Sequence, residues 1–447
     1  MRRDDRRGQG ISVHRRLLAL AVPIILANLT QPLLSAVDTA VAGHLPGAEA
    51  LGGVALGGLV FNFLFWGFGF LRMGTTGLIA QAQGALDWAA VRATLYRALG
   101  LALVIGLLLL LARRPLVSLL LDLLGGSAEV RASAELYCAA RIVSAPAALA
   151  NYVVLGYLLG RQHARLGLAL QLVINLGNMA AAILFVYAFG WGVGGLGAAT
   201  ACADWLGFAF GLILLLRLRP QGLPRPRAAE LLERTALARL ILVNRDIFLR
   251  TVALIASFGL FAHEGARMGD TILAANAVLL NFQTFMAYGL DGFAHAAEAL
   301  VGMAIGARDR ASLAAAIRAS MLWAGVGAAL FSLAYFGFGP SIIRLLTDIP
   351  DIRAAALAYL PWAAISPLVS VWGFQLDGIY IGAIRTRELR NSVFLALLAF
   401  LVAVRLFEPL WGNHGLWAAL LLMMGMRGAT LGLWLRRLPE KACSGPP

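Results

Sequence analysis

The run LLALAVPIILANLTQPLLSAVDTAVAG occupies Leu17–Gly43. A helix needs about 20 predominantly apolar residues to cross the hydrocarbon core of a bilayer, and this run is longer. It follows a basic start holding Arg2, Arg3, Arg6, Arg7, Arg15 and Arg16. A cleavable signal peptide also begins with a basic patch, but its apolar core is only about 7–15 residues and ends at a small-residue site. The run here is too long and carries Asn28, Gln31 and Asp38. It therefore reads as an uncleaved first spanning helix.

Working outward, further apolar windows follow at Leu51–Leu71, Ala93–Ala112, Leu136–Gly160, Leu166–Gly190 and Val193–Leu216. Beyond a Pro- and Arg-rich connection come Leu240–Phe261, Ala274–Gly302, Leu313–Phe338, Tyr359–Gly382, Val393–Leu410 and Leu416–Leu435. The expected fold is an all-α integral membrane protein with twelve transmembrane helices in two six-helix lobes related by an internal repeat. The composition agrees: 60% of the 447 residues are hydrophobic and 13% charged, against about 25% charged in an average soluble domain. The net charge is +14. It lies between apolar runs rather than on one domain, which fits membrane topology and no nucleic-acid partner. Cys138, Cys202 and Cys443 are widely scattered and form neither a disulfide framework nor a metal-binding spacing.

Positive charge sets orientation, because Arg and Lys stay on the cytoplasmic side. The N-terminus and every second connection are rich in Arg, including Arg92 and Arg97, Arg161 and Arg165, Arg308 and Arg310, and Arg385, Arg387 and Arg390. The alternate connections are poorer. Both termini of the multi-pass chain are thus expected in the cytoplasm. The expected organisation is a basic N-terminus at 1–16, a first lobe at 17–216, a cytoplasmic linker at 217–239, a second lobe at 240–435 and a tail at 436–447.

The halves repeat. The separation of Asp87 from Asp309 recurs between Gly67 and Gly289, Gly84 and Gly306, Gly43 and Gly265, Gly156 and Gly378, Gly160 and Gly382, and Arg165 and Arg387. Leu and Ala matches mean little in so apolar a chain; Gly, Asp and Arg matches mean more. Two parallel lobes imply a substrate cavity between or within them.

Ionisable and amide side chains in a membrane helix are costly and usually face a cavity or a partner. Asn28, Gln31, Ser35 and Asp38 share one face of the first helix, and Pro23 and Pro32 on that helix favour bends. This combination suggests a coupling element, although a polar stripe can also simply join helices. Gln171, Asn175 and Asn178 share a face of the fifth helix, and Thr200 and Asp204 lie four apart on the sixth. In the second lobe, Asp246 and Arg250 are spaced to pair with each other. Tyr288, Asp291, His295 and Glu298 share a face of the eighth helix, and Asp377 lies on the tenth with a GxxxG at Gly378 and Gly382. Tyr288, Asp291 and Asp377 are the second lobe's candidate cavity lining. His295 and Glu298 have the spacing of half a di-metal site, but no second such pair exists, so no metal centre is expected. HExxH, Walker, GxSxG and strand-linked GxGxxG motifs are absent from the sequence. No enzyme activity is predicted, and without an ATP-binding motif transport would be secondary.

Specific stretches carry a family resemblance. Val37-Asp38-Thr39-Ala40-Val41-Ala42-Gly43-His44-Leu45 resembles the first-helix signature of the multidrug and toxic compound extrusion (MATE) family. Gly74-Thr75-Thr76-Gly77-Leu78-Ile79-Ala80-Gln81 and Ala296-Ala297-Glu298-Ala299-Leu300-Val301-Gly302 resemble its paired motifs. Phe65 to Gly74, Asn244 to Arg250 and Leu376 to Gly382 are similar to its DNA-damage-inducible protein F (DinF) branch. The resemblance implies export of cationic or amphipathic organic compounds in exchange for protons or sodium ions, by alternating access. It makes Asp38 the cation-responsive carboxylate and matches Asn178 to the Asn of an N-x-x-x-D pattern, where this chain has Ala182 in place of the Asp. Asp204 then becomes the candidate second carboxylate. The missing oxygen ligand favours a proton over sodium, and no organic cofactor is expected.

The rival readings are a lipid-linked flippase or polysaccharide exporter, and a channel. A flippase would need a basic cavity for phosphate; the Arg residues are expected at helix ends and the mid-helix ionisable groups mostly acidic. The protein is expected to act as a monomer, with the bilayer and small organic cations or amphipathic drugs as its partners.

Overall fold

The computed structural model describes residues 3–218 and 227–435, with side chains from residue 13 onward except that of 228. Residues 219–226 of the expected linker and the expected tail at 436–447 lie outside the described residues. In chain order the helices are α1 (Arg3–Gly43), α2 (Ala48–Gly67), α3 (Phe70–Gly84), α4 (Trp88–Leu111), α5 (Arg113–Leu124), α6 (Ala128–Arg141), α7 (Ala145–Gly160) and α8 (Ala164–Ile183). They continue as α9 (Gly192–Leu218), α10 (Ala228–Leu231), α11 (Arg234–Arg267), α12 (Asp270–Gly306), α13 (Arg310–Leu346), α14 (Pro350–Gly382), α15 (Thr386–Trp411) and α16 (Asn413–Leu435). No strand occurs among the described residues.

Eleven helical runs among the described residues are long and apolar enough to cross a membrane. They correspond to eleven of the twelve expected windows: nine lie wholly inside a run, while Ala93–Ala112 and Leu166–Gly190 extend past the ends of theirs at Leu111 and Ala188. The remaining window, Leu240–Phe261, lies in α11, whose apolar run is interrupted by Arg245, Asp246 and Arg250. The helices α2 and α3 form one run, Ala48–Gly84, as do α6 and α7 across Ala128–Gly160.

The internal repeat is visible in the backbone. Among the described residues, Leu86, Gln162, Arg308 and Ile384 are the non-glycine positions with positive φ, at 58°, 60°, 55° and 54°. Each lies two residues beyond the terminal glycine of α3, α7, α12 or α14. Leu86 is as far from Arg308 as Gln162 is from Ile384, and as Asp87 is from Asp309. Past this point the chain closes three of the helix ends alike: the N–H groups of His163, Asp309 and Arg385 donate to the carbonyls of Leu158, Ala304 and Tyr380. A left-handed residue followed by such a bond satisfies carbonyls that a helix end leaves open. Asp87 and Asp309 then cap α4 and α13, accepting backbone N–H bonds from Ala90 and from Ala311 and Ser312.

Helix packing follows the same repeat. Gly156 approaches the backbone carbonyl of Arg72, and Gly378 that of Ala294. Gly160 approaches the carbonyl of Thr76, and Gly382 that of Glu298. In lipid, where apolar burial gives helices little reason to associate, such small-residue contacts let backbones come close and gain dispersion and weak hydrogen bonds. The Gly378–Gly382 motif is thus a packing motif, as its spacing suggests.

The chain forms two compact units. One comprises Leu26–Ile79 and Asp87–Asn244; the other holds the described residues up to Ile25, Ala80–Leu86, and those from Arg245 onward. In the first unit Phe61, Leu121, Ile142 and Leu149 are fully buried. In the second, Trp417 packs edge-on against Phe261 at 5.2 Å, and its indole N–H donates to Asn276 at 2.9 Å. There the buried Asn276 and Asn413 exchange amide hydrogen bonds, which satisfies both away from water.

Candidate functional site

Pro146 shapes the centre of the first unit. It stands at the start of α7, and a proline can neither donate a helical hydrogen bond nor leave room for the carbonyl four residues back. The chain answers with a 3₁₀ turn at Ile142–Ser144 inside the Ala128–Gly160 run. A tighter turn inside a long helix often marks a functional position. It brings Arg141, at the end of α6, and Ser144, just before α7, to the break.

Arg141 is held from several directions. It donates a 2.8 Å hydrogen bond to the Tyr137 hydroxyl. Its guanidinium carbon lies 4.5 Å from the Phe61 ring centroid and 5.7 Å from that of Tyr137, within cation–π range. It interacts electrostatically with two carboxylates, Asp38 of α1 and Asp204 of α9. Asp204 accepts a 2.7 Å hydrogen bond from the Ser144 hydroxyl, which also lies 2.9 Å from the Arg141 carbonyl. The Asn151 amide donates to the Asp204 carbonyl at 2.8 Å. Asp38 differs: its Oδ1 is buried with no hydrogen-bond partner among the described residues. The structure thus brings the two predicted coupling carboxylates into one electrostatic group, centred on a cation that the sequence reading passed over.

The amide stripe lies in the same unit. Gln31 donates to Asn175 across 3.4 Å, and Asn175 in turn bonds the Thr30 hydroxyl. This joins α1 to α8. Asn178 donates to Thr200 of α9 at 3.1 Å, while its Oδ1 is buried without a partner among the described residues. Ser35 is exposed, and its carbonyl accepts from Thr39 at 2.8 Å. Asn28 is partly buried. Helix α1 continues through both Pro23 and Pro32. Ala182, where the resemblance would put a carboxylate, is fully buried.

The second unit departs from the expected pairing. Arg250 does not pair with Asp246, four residues before it. It forms an ion pair with Asp377 of α14. Arg427 of α16 meets the same carboxylate oxygen at 2.5 Å. Asp246 instead pairs with Arg245 at 3.0 Å and Arg390 at 2.8 Å, with Thr386 nearby. The reason is burial: Arg250, Arg427 and Asp377 are 7%, 2% and 4% exposed, and a charge that deep requires a partner wherever the fold supplies one. Asp377 therefore sits between two guanidiniums rather than facing open space. Asp291 acts electrostatically on Arg427 and on Tyr288. His295 is partly buried and Glu298 wholly buried.

The expectation that Arg residues keep to helix ends is corrected by Arg250 and Arg427, and by Arg141, which ends α6 but lies inside the Ala128–Gly160 run. A readable signal existed for Arg427, which interrupts the apolar window Leu416–Leu435; a cation there demands a buried partner. Which carboxylate it would find lay beyond sequence reading, because its partner is 50 residues away on another helix.

The MatE family pattern matches residues 23–184 and 261–404. DNA damage-inducible protein F of Escherichia coli K12 is 43% identical over 430 residues, covering 95% of this chain and 93% of that protein. A probable multidrug resistance protein NorM of Acinetobacter baylyi is 24% identical, covering 94% and 92%. A solved outward-facing structure of a multidrug resistance MATE family transporter superimposes with a TM-score of 0.86 at 19% identity, over 96% of both chains.

Proposed function

Since this chain belongs to the MATE family of multidrug transporters, in its DNA-damage-inducible protein F branch, we propose that it is a secondary antiporter exporting cationic or amphipathic organic compounds in exchange for protons. The observation that carries this is Asp38. It is a carboxylate inside a spanning helix, with one oxygen buried and unpartnered among the described residues, and within longer-range electrostatic reach of Arg141. Removing a carboxylate from water penalises its charged form, so a proton or a cationic cargo can each relieve it, and each displaces the other. That competition is antiport. The buried Asn178 Oδ1, unpartnered among the described residues, is the acceptor this reading assigns to a protonated Asp38. Sodium is the less favoured coupling ion, because Ala182 offers no oxygen where the family pattern has one. Export would proceed from the cytoplasm across a bacterial inner membrane, with both termini cytoplasmic and the monomer as the working unit.

The test is proteoliposomes containing a pH-sensitive dye. Imposing a gradient of a cationic drug without sodium should move protons in the opposite direction. Drug movement that requires sodium and leaves internal pH unchanged would replace the proton. Scrambling of labelled lipids without any drug-coupled flux would favour the flippase reading.

A further inference from the structure

We infer that Arg141 sets the charge class of the cargo, leaving the site with one net negative charge suited to a monovalent organic cation and unsuited to a dication. The inference rests on the cation-export reading above. With both carboxylates ionised, Asp38, Asp204 and Arg141 sum to a single negative charge. Arg141 also acts on Tyr152 together with Arg72, but of the two arginines it is Arg141 that acts on both carboxylates.

Position makes this a fixed part of the site rather than a passing ion pair. The guanidinium is anchored by the Tyr137 hydroxyl and lies over the Phe61 ring. Both anchors come from packed helices, α6 and α2, so the cation cannot swing away when cargo enters. Its carboxylates are not equivalent. Asp204 already has the Ser144 hydroxyl, whereas Asp38 keeps an unpartnered buried oxygen. Arg141 and Asp204 therefore offset one another, and the uncompensated charge falls to Asp38. A second positive charge on the cargo would meet no further anion in this group and would be repelled by Arg141. In a site shielded from water such a term is larger than at a surface. The second unit's cluster offers no such surplus, because Arg250 and Arg427 face Asp377 and Asp291 in equal number.

Ethidium and propidium test this, since they share a phenanthridinium ring and carry one and two positive charges. Full-length protein in proteoliposomes should transport ethidium about tenfold faster than propidium, where tenfold corresponds to about 1.4 kcal/mol. R141Q removes the charge but retains a donor for Tyr137, and should shift the ratio about tenfold towards propidium. R141K should keep the wild-type ratio, and R141Q/D204N should restore it. D204N alone removes the surplus, so uptake of both dyes should fall, propidium more. Equal wild-type transport of both dyes, or an unchanged ratio in membrane-inserted R141Q, would overturn the inference. Should R141Q not insert, a D204N ratio shifted towards propidium would overturn it equally. A wild-type protein that moves neither dye removes the cation-export reading and this inference with it.

Discussion

The Ser144 hydroxyl lies 2.7 Å from Asp204 Oδ2, and it is there because Pro146 prevents α-helix from running through the junction of α6 and α7. A hydrogen bond to a charged group contributes about 1.5–3 kcal/mol. Ser144→Ala is therefore expected to lower the stability of the inserted protein by about 1–2 kcal/mol. If the hydroxyl acts through the carboxylate, the double variant with Asp204→Asn should cost less than the two single changes together. Unfolding midpoints of the four proteins measure this. Strict additivity would mean that the hydroxyl does not support Asp204.

Asp377 predicts a contrast with Asp38. Two buried guanidiniums share its Oδ2, so Asp377→Asn removes the one carboxylate that pairs directly with both cations. Breaking a buried ion pair from one side costs about 3–5 kcal/mol. The variant should be found largely unfolded or degraded, visible as loss of the monodisperse peak in detergent. A well-folded Asp377→Asn with altered transport would instead make Asp377 part of the transport site.

The glycines that carry the repeat should tolerate no side chain. A Cβ at Gly156 would stand 2.6 Å from the Arg72 carbonyl oxygen, and one at Gly378 would collide with that of Ala294. Backbone cannot yield cheaply, so Gly156→Ala and Gly378→Ala should each lower the melting temperature by several degrees. Gly100 and Gly337 have open space around the same position. There the change to Ala should be neutral or stabilising by up to about 1 kcal/mol, from helix propensity.

These positions also mark what a single sequence discloses. The spans were legible because lipid leaves no other solvent for such long apolar runs, and the repeat because glycine and aspartate rarely recur at one spacing without a structural role. The seventh span was the weakest signal in the structure as well, since α11 carries Arg245, Asp246 and Arg250. The pairing of those charges was not legible. Helical spacing favours Asp246 with Arg250, but two buried charges on one helix choose partners by three-dimensional proximity, and Arg250 lies 127 residues from Asp377. Arg141 is not legible as a site residue because it sits near the start of a long window, and it is the 3₁₀ turn after it that turns it towards the carboxylates.

Asp309 gives a pH-dependent prediction outside the spans. It caps α13, and the Ser312 hydroxyl with the Ser312 and Ala311 N–H groups holds its carboxyl below the ordinary carboxylate value. A depressed folded pKa contributes stability above the unfolded value, and that contribution is lost as pH falls through the folded one. Asp309→Ala should thus cost about 1 kcal/mol near neutral pH, as the loss of a helix cap does. The gap from the native protein should close in acid. A gap independent of pH would assign the cost to something other than the ionised cap.

Asp38→Asn tests the proposed coupling most directly. The substitution keeps size and hydrogen-bonding capacity while fixing the side chain in a neutral form, so it imitates permanent protonation. The Asp38 Oδ1 is unpartnered among the described residues, whereas two guanidiniums bond Asp377 directly; the change therefore strands less charge than Asp377→Asn does. The protein should reach the membrane with near-native stability. Under the proposed function it should confer no drug resistance and show no drug-coupled proton movement, because a side chain that cannot ionise neither attracts the cation nor exchanges a proton for it. Asp204→Asn should be milder, since Ser144 and Arg141 already engage that carboxylate and Asp38 would keep its charge. Matched proteoliposome assays across a range of pH compare the two. Full pH-dependent transport by Asp38→Asn, with its abolition in Asp204→Asn, would move the coupling role from the first helix to α9.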